Sequence, residues 1–179
     1  MEKIFYSDNT KLPSSEYAVK KILTEYFGID APVLARNENG KPFLKNPDGK
    51  RLFFSVSHTP LASFFAFSDE NVGIDAESLQ REVNYQSILK KFSDGERAEI
   101  CNSVDFLKRW TVKESVVKWL GGTLARDLYK ISYADRRLLY GAVELPVRIT
   151  QLEFAKHAIS VCSERDFALA EILSLSGIL

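Results

Sequence analysis

Residues 53–77 have the sequence FFSVSHTPLASFFAFSDENVGIDAE, and this stretch decides the fold class. Its apolar and β-branched residues predict strands at 53–57, 62–67 and 72–77. The polar residues 68–71 between the last two strands predict a turn, so these strands form a hairpin. The stretch therefore predicts β-structure in the first half of the chain.

The residues before this stretch predict a helix and two turns. Residues 15–27 carry apolar side chains at helical spacing, and Gly28 follows as a stop. Residues 37–42 and 46–49 have the Asn, Gly, Pro and Asp content of turns and bracket a short extended piece. The first half therefore combines one helix with strands.

The residues after the stretch predict helices. Residues 93–96 have the Ser-x-x-Glu form of a capping box, which predicts that a helix starts there. A longer helix is predicted over 104–120, and the glycines at 121 and 122 end it.

Strands return over residues 128–161, with turns predicted at 134–135 and 145–146. The order is helix and strands, followed by helices and strands again. It predicts an α+β protein of two lobes that divide near residues 70–80.

The composition is that of an ordinary globular protein with no net charge. The 179 residues suffice for one substantial core or two small lobes, and 45% are hydrophobic. Lys and Arg together number 24, as do Asp and Glu, so the net charge is zero. No general attraction to nucleic acid or to a membrane follows. An anionic ligand must therefore be met by basic residues placed locally.

No targeting feature or cysteine framework stands out. The first residues lack the apolar stretch of a secretory signal, and the apolar run 61–67 is too short to cross a bilayer. Cys101 and Cys162 are widely separated and lack metal-ligand spacing. We therefore expect a reduced, cytoplasmic protein.

The helix over 104–120 carries two charges on its apolar face. Trp110 and Val117 belong to an apolar arc about 140° wide, and Lys113 and Glu114 project within the same arc. A buried carboxylate has to be paired or bound to a metal. One alternative is that Lys113 and Glu114 each find a counter-charge across a lobe interface.

The strand 72–77 carries two acids on one side. Asp75 and Glu77 are two residues apart, so their side chains converge. Carboxylates this close repel each other unless a cation or a proton lies between them. Oxygen ligands without His or Cys suit Mg²⁺, whereas the alternative is a solvated strand edge.

The strand predicted at 53–57 leads into a loop with three potential hydrogen-bond donors. The imidazole of His58 and the hydroxyls of Ser57 and Thr59 can all donate to a phosphate. The alternative is that His58 is an ordinary turn residue. A Ser–His nucleophile pair lacks an oxyanion-loop signature.

Five blocks in this order resemble the 4′-phosphopantetheinyl transferase superfamily, particularly its Sfp-type members. The resemblance runs from about residue 18 to residue 118. The blocks are Gly40-Lys41-Pro42, Phe-x-x-Ser-His ending at His58, Val72-Gly73-Ile74-Asp75-Ala76-Glu77, Phe92-x-x-x-Glu96, and Trp110-Thr111-Val112-Lys113-Glu114-Ser115-Val116-Val117-Lys118.

The resemblance implies a fold of two similar α+β lobes in a pseudo-twofold arrangement. The N-terminal lobe, 1–72, would form the adenine and phosphate side of the coenzyme A site. The C-terminal lobe, 73–179, would hold the metal site and the helix 104–120. The two lobes would form one functional unit, and the chain would act as a monomer.

The resemblance also implies the activity, that of a holo-[acyl-carrier-protein] synthase type of enzyme. Such an enzyme moves the 4′-phosphopantetheine arm of coenzyme A to a serine of an apo acyl or peptidyl carrier protein. It depends on Mg²⁺ and releases adenosine 3′,5′-bisphosphate. Two alternatives are a catalytically silent homologue that binds coenzyme A or carrier protein, and an unrelated Mg²⁺-dependent phosphohydrolase.

The site residues follow from the same resemblance. The metal ligands would be Asp75, Glu77 and Glu114. The catalytic residues would be Glu114, Lys118 and Glu96, and the base is left open between Glu114, Glu96 and a water molecule on the metal. Coenzyme A would contact Gly40, Lys41, Pro42, Ser57, His58, Thr59, Lys113 and Lys118.

The chain departs from the longer Sfp-type members near its N-terminus, where basic residues would meet the 3′-phosphate. Lys11, Lys20 and Lys21 correspond to them only loosely. Ala76 also replaces a branched aliphatic residue between the two acids, and we expect only an effect on packing there.

Overall fold

The computed structural model describes residues 1–9, 12–45 and 51–177. The turn predicted at 46–49 and Lys11 lie outside these residues. The strands are β1 Lys3–Asp8, β2 Leu34–Arg36, β3 Pro42–Leu44, β4 Phe53–His58, β5 Ala62–Ser68, β6 Val72–Ser78, β7 Ile131–Ala134, β8 Arg137–Tyr140, β9 Val143–Glu144, β10 Arg148–Phe154, β11 His157–Ser163 and β12 Glu171–Ser174.

The helices are α1 Ser15–Lys21, α2 Asp94–Ala98, α3 Ser103–Leu120 and α4 Leu124–Asp127. A wider π-helical turn, Ile22–Tyr26, continues α1. Single 3₁₀ turns occur at Leu89–Lys91, Leu128–Lys130 and Leu175–Gly177. The chain is thus a mixed protein of helices and strands, as predicted. None of the helices in these residues has the length and apolar character needed to cross a membrane.

The predicted helix boundaries follow from the caps. Ser93 and Glu96 form the predicted capping box at the start of α2. Asn102 caps α3 by accepting the N–H of Asp105, and Gly121 ends α3 with a positive φ of 64°. A left-handed residue at this position favours glycine because glycine has no Cβ to clash.

The first sheet has the strand order β12-β1-β5-β4. β5 is antiparallel to both neighbours, and β12 is parallel to β1. Every residue of β5 is buried, because Phe65 and Phe67 pack with α1 on one face while Phe64 packs with Ile74 on the other. This explains why the strand is a nearly continuous apolar run.

The second sheet has the order β10-β11-β6 and is antiparallel throughout. Apolar side chains on one face of this sheet pack against the first sheet and form one apolar cluster with it. Helix α3 packs on the other face. The layers are therefore α1, first sheet, second sheet and α3. The division into lobes 1–72 and 73–179 and their pseudo-twofold relation stay predictions.

The two sheets meet where the edge of β4 lies beside the edge of β6. The hydroxyls of Ser55 and Ser57 accept the backbone N–H groups of Ile74 and Ala76, at 3.1 and 3.0 Å. Buried N–H groups need such partners. The serines of β4 thus join the sheets and bring the end of β4 next to the acids of β6.

Candidate active site

Asp75 is the buried centre of the site. Its carboxylate accepts two hydrogen bonds on Oδ1, from the Ser57 hydroxyl at 2.9 Å and from the Lys118 ammonium at 2.7 Å. Its Oδ2 is also buried, yet it has no hydrogen-bond partner among the residues that the structure describes. A buried carboxylate oxygen without a partner is costly, so Oδ2 is an open ligand position.

Ser57 supports Asp75 from behind. Its hydroxyl donates to Asp75 and accepts the N–H of Ala76, and its side chain is buried. One donor and one acceptor position are therefore used inside the protein. In the structure, Ser57 orients the carboxylate of Asp75. The predicted contact of Ser57 with coenzyme A stays a prediction.

Gly73 brings α3 close to β6. A Cβ on Gly73 would lie 2.0 Å from the carbonyl oxygen of Ser115 and 2.5 Å from the backbone nitrogen of Trp119. Only a residue without a Cβ allows this approach. Because α3 lies so close, Lys118 reaches Asp75 from the next layer.

Glu114 lies one turn before Lys118 and faces the same acids. Burial is the main cause that raises the pKa of Glu114 to about 7, and the negative charges of Asp75 and Glu77 add to it. The positive charge of Lys118 lowers the pKa of Glu114. A carboxyl group with such a pKa can accept or release a proton near neutral pH.

Glu77 is held by a cation from the following turn. Nη1 of Arg81 donates to both carboxylate oxygens of Glu77, at 3.2 and 3.0 Å. Within 1–9, 12–45 and 51–177, no three Asp, Glu, His or Cys side chains are arranged to hold a metal ion. The three predicted ligands therefore lie close to one another. The positive charges of Lys118 and Arg81 partly neutralise their negative charges.

These residues nevertheless fit a hard divalent cation. Asp75, Glu77 and Glu114 offer only oxygen, the donor that Mg²⁺ prefers. Asp75 Oδ2 is unpaired among the described residues, and the charge of Asp75 raises the pKa of Glu114. Both features are those of acids that lack a shared cation. The metal assignment of the three acids stays a prediction.

Lys113 and Glu96 pair with each other. Both side chains are 1% exposed, and Nζ of Lys113 lies 3.1 Å from Oε2 of Glu96. Nζ also donates to the carbonyl of Ile131. Glu96 Oε2 accepts the N–H of Ser93 at 2.8 Å, and Oε1 accepts the N–H of Tyr133 at 3.2 Å. The counter-charge considered for Lys113 is thus present, and the pair ties α3 to the start of α2.

This pairing leaves the predicted contact of Lys113 with coenzyme A and the predicted catalytic role of Glu96 as predictions. Both oxygens of Glu96 are engaged in the protein, which favours a structural role. Burial lowers the pKa of Lys113, and the charge of Glu96 opposes this shift. Glu96 therefore favours the charged form of Lys113.

We expect Glu96→Gln to destabilise the fold by about 1.5–3 kcal/mol, the worth of hydrogen bonds to a charged group, and to change kcat only a few-fold. Urea denaturation measures the first effect and steady-state kinetics the second. The double variant with Lys113→Met should lose less stability than the two single changes together, because the partners act as a unit. A kcat more than a hundredfold lower at unchanged stability would assign Glu96 to catalysis.

The turn around Gly40 is fastened to the end of α3. The side-chain amides of Asn37 and Asn39 donate to the carbonyl of Gly121, at 3.2 and 2.8 Å. Gly40 has a φ of 85°, which a residue with a side chain rarely adopts. The turn therefore keeps Pro42 next to the last turn of α3.

Lys41 points from this turn towards the second sheet. Its ammonium donates to Asn71 Oδ1 at 3.0 Å and to the carbonyl of Val72 at 3.1 Å. Burial lowers the pKa of Lys41 to about 8. Within the described residues no acid pairs with it, so its charge is available to an anion.

Two clefts flank Pro42 and Phe54. One has a volume of about 550 Å³ and includes Lys41 and Trp119 in its lining. The other has about 330 Å³ and includes His58, which is exposed. Volumes of this size suit a small-molecule ligand.

Thr59 has no such exposure. Nδ1 of His157 donates to the carbonyl of Ala155 at 2.7 Å, and its Nε2 is hydrogen-bonded to the Thr59 hydroxyl at 3.0 Å. The same hydroxyl accepts the N–H of Ala62 at 3.1 Å. Thr59 thus holds the loop that presents His58, and its predicted contact with coenzyme A stays a prediction.

Three neighbours of the site carried no signal in the sequence. Arg81, Asn71 and His157 reach their partners through turns or across sheets. Asn71 and His157 contact residues far along the chain, so no spacing rule connects them to their partners. Arg81 is four residues after Glu77, but a turn rather than a helix brings the two together.

Carboxylates beside a lysine are a set of groups that enzymes of phosphoryl transfer use. Comparison with known proteins then specifies the class. The sequence profile of the 4′-phosphopantetheinyl transferase superfamily matches residues 71–170, over half of the chain. The chain therefore belongs to the 4′-phosphopantetheinyl transferase superfamily, and the predicted family is confirmed.

Individual relatives agree with this family. The 4′-phosphopantetheinyl transferase AcpT of Salmonella typhi is 29% identical, with 77% of this chain and 70% of that protein covered. The 4′-phosphopantetheinyl transferase gsp of Aneurinibacillus migulanus is 28% identical, with 59% of this chain and 46% of that protein covered. Both relatives are transferases, in agreement with the predicted enzyme class.

Proposed function

We propose that this protein transfers the 4′-phosphopantetheine arm of coenzyme A to a serine of an apo acyl or peptidyl carrier protein. Mg²⁺ is the cofactor, and adenosine 3′,5′-bisphosphate is released. One observation carries the proposal. The family match over 71–170 includes Asp75, Glu77, Glu114 and Lys118, whose side chains interact between β6 and α3.

Coenzyme A is proposed to bind along the clefts beside Pro42. The turn of Gly40, Lys41 and Pro42 forms the wall against the adenine. His58 is exposed at the end of β4 and donates to a phosphate, and Lys41 supplies a positive charge nearby. Both residues are local cations or donors, which a chain of zero net charge needs in order to hold a polyanion.

The proposed reaction is attack by the carrier serine on the phosphorus that bears pantetheine. A bond forms between the serine oxygen and this phosphorus, and the bond to the oxygen that bridges the two phosphates breaks. That oxygen leaves with adenosine 3′,5′-bisphosphate. Mg²⁺ held by Asp75, Glu77 and Glu114 would neutralise charge on the pyrophosphate.

The protein's own residues supply the other functions. Lys118 places an ammonium beside Asp75, where it can also meet a phosphate oxygen. Glu114, which faces the same acids from α3, is proposed to take the proton of the serine hydroxyl. Ser57 keeps Asp75 oriented through its hydrogen bond.

The decisive experiment incubates the protein with coenzyme A, Mg²⁺ and several apo carrier proteins and determines the intact mass of each carrier. We expect the mass of one phosphopantetheine arm to be added. Unmodified carriers together with measurable binding of coenzyme A would indicate a silent homologue. Release of phosphate without a carrier would indicate a phosphohydrolase.

We also propose that the chain acts as a monomer in the cytoplasm. The acids of β6 and the helix α3 that completes their site come from the same chain, so no second copy is required. Sedimentation at several protein concentrations tests the oligomeric state.

The lowered pKa of Lys41 predicts how coenzyme A binding depends on pH. Above pH 8 the ammonium loses its proton, so the affinity should fall by up to about tenfold per pH unit. Calorimetry of coenzyme A binding at pH 7, 8 and 9 measures this. Lys41→Arg stays charged over this range and should show a flatter profile. An equal decline in both proteins would place the titrating group elsewhere.

A further inference from the structure

Glu77 and Arg81 form the most exposed contact of the acid cluster. Arg81 binds both carboxylate oxygens of Glu77 through Nη1. A divalent cation on Glu77 would use the same oxygen lone pairs. We propose that Arg81 is an internal competitor of the divalent cation: it holds Glu77 in the metal-free protein, and the cation binds by displacing it. This inference rests on the proposed metal-dependent transfer.

The turn after β6 explains why Arg81 returns to the site. The N–H of Arg81 donates to the carbonyl of Ser78 at 3.1 Å, which closes the turn. The N–H of Leu79 donates to the carbonyl of Lys156 at 2.9 Å and fixes the turn to the β10–β11 hairpin. The backbone therefore places the guanidinium beside Glu77 without a helix.

Arg81 and Lys118 differ in how easily they can leave. The Arg81 side chain is 57% exposed and that of Glu77 is 19% exposed, whereas the values are 28% and 5% for Lys118 and Asp75. An exposed ion pair contributes little to stability, because water solvates the guanidinium once it is released. Arg81 is therefore the exchangeable cation, and Lys118 stays with Asp75.

Space for the released side chain lies next to it. A groove of about 660 Å³ is lined by residues 79–84 and 102–104 and includes Arg81. The guanidinium can turn into this groove without moving β6. No rearrangement of the core is then needed for the exchange.

Charge also favours the exchange. When Asp75, Glu77 and Glu114 are all ionised, Lys118 and Arg81 leave one negative charge uncompensated. A divalent cation in place of Arg81 neutralises it. The exchange thus reduces the mutual repulsion of the three carboxylates.

Arg81→Gln tests the competition. We expect the variant to bind Mn²⁺, measured by electron paramagnetic resonance with no substrate present, about two- to five-fold more tightly than the wild-type protein, the range for losing an exposed ion pair. The rise of melting temperature on adding Mg²⁺ should also be larger. Affinity that is unchanged or weaker in the variant would overturn the proposal.

Arg137→Gln is the matched control. It removes the same charge and breaks an exposed pair with Glu144, 2.8 Å long, on β8 and β9. This variant should bind Mn²⁺ like the wild-type protein, and tighter binding in both variants would show a general charge effect and refute the competition.

The failures of the two proposals can be told apart. A wild-type protein that binds no divalent cation would overturn both the competition and the metal dependence of transfer. Equal Mn²⁺ affinity in the wild type and Arg81→Gln would overturn the competition alone. Tighter Mn²⁺ binding by Arg81→Gln, without transfer to any carrier by the wild type, would refute the proposed function and leave the competition standing.

Discussion

Asp75→Asn is expected to lower kcat/KM for transfer by roughly a thousandfold or more, because it removes the charge that the metal and Lys118 share. The amide oxygen can still accept hydrogen bonds from Ser57 and Lys118, so the side chain keeps its place. Intact mass of the carrier against time measures the rate. Mn²⁺ binding should weaken in parallel.

The fold of Asp75→Asn should survive. The substitution replaces Oδ2, which has no hydrogen-bond partner in the described part of the chain, with an amide group and removes a negative charge next to Glu114. The pKa of Glu114 should therefore fall, since Asp75 is one of the causes that raise it, and NMR titration of the carboxyl group checks this.

Asp69→Asn is the control for Asp75→Asn. Asp69 pairs with Arg165 at 3.2 Å and its side chain is 39% exposed. It should keep wild-type transfer. If Asp75→Asn unfolds, or transfers as fast as this control, the acid cluster holds structure and the proposed catalytic site is wrong.

Local patterns predicted the parts of the fold that short-range physics controls. Runs of apolar and β-branched residues bounded by turn residues identified β4, β5 and β6, and the capping box and Gly121 identified α2 and the end of α3. Each of these elements depends on residues within a few positions of one another. The predicted mixture of helices and strands followed from them.

The strands β1 and β12 were not predicted, for a physical reason. β1 is partly apolar, but its hydrogen bonds go to β5 and β12, far along the chain. β12 has only four residues, and its parallel partner is the first strand. Neither strand is joined to its partner by a short turn, so the neighbouring sequence does not indicate which strand it pairs with.

The site shows the same division. Two acids on one strand and charges on an apolar helix face marked Asp75, Glu77, Lys113 and Glu114. Their partners were not distinguishable from sequence, because Lys113 pairs with Glu96 while its neighbour Glu114 faces Asp75 and Glu77. Adjacent residues of one helix thus have different surroundings, and only packing decides between them.

Gly73 determines how that packing is achieved, so Gly73→Ala should have the largest effect on stability. The added Cβ would meet the backbone of α3 at Ser115 and Trp119 at 2.0 and 2.5 Å, and backbone atoms cannot rotate away. Gly73 has no positive φ, so the clash is the main cost. We expect a loss of about 3 kcal/mol or more, at the upper end for overpacking, measured by urea denaturation.

The same change should impair transfer in the molecules that remain folded. If α3 moves away from β6, Lys118 loses its contact with Asp75, and Glu114 moves with it. Gly95→Ala is the control, since Gly95 lies in α2 and its Cβ would meet open space. Alanine in a helix is favoured by about 0.5–1 kcal/mol, so this variant should be slightly more stable. Wild-type stability and transfer in Gly73→Ala would refute the view that close packing of α3 on β6 builds the site.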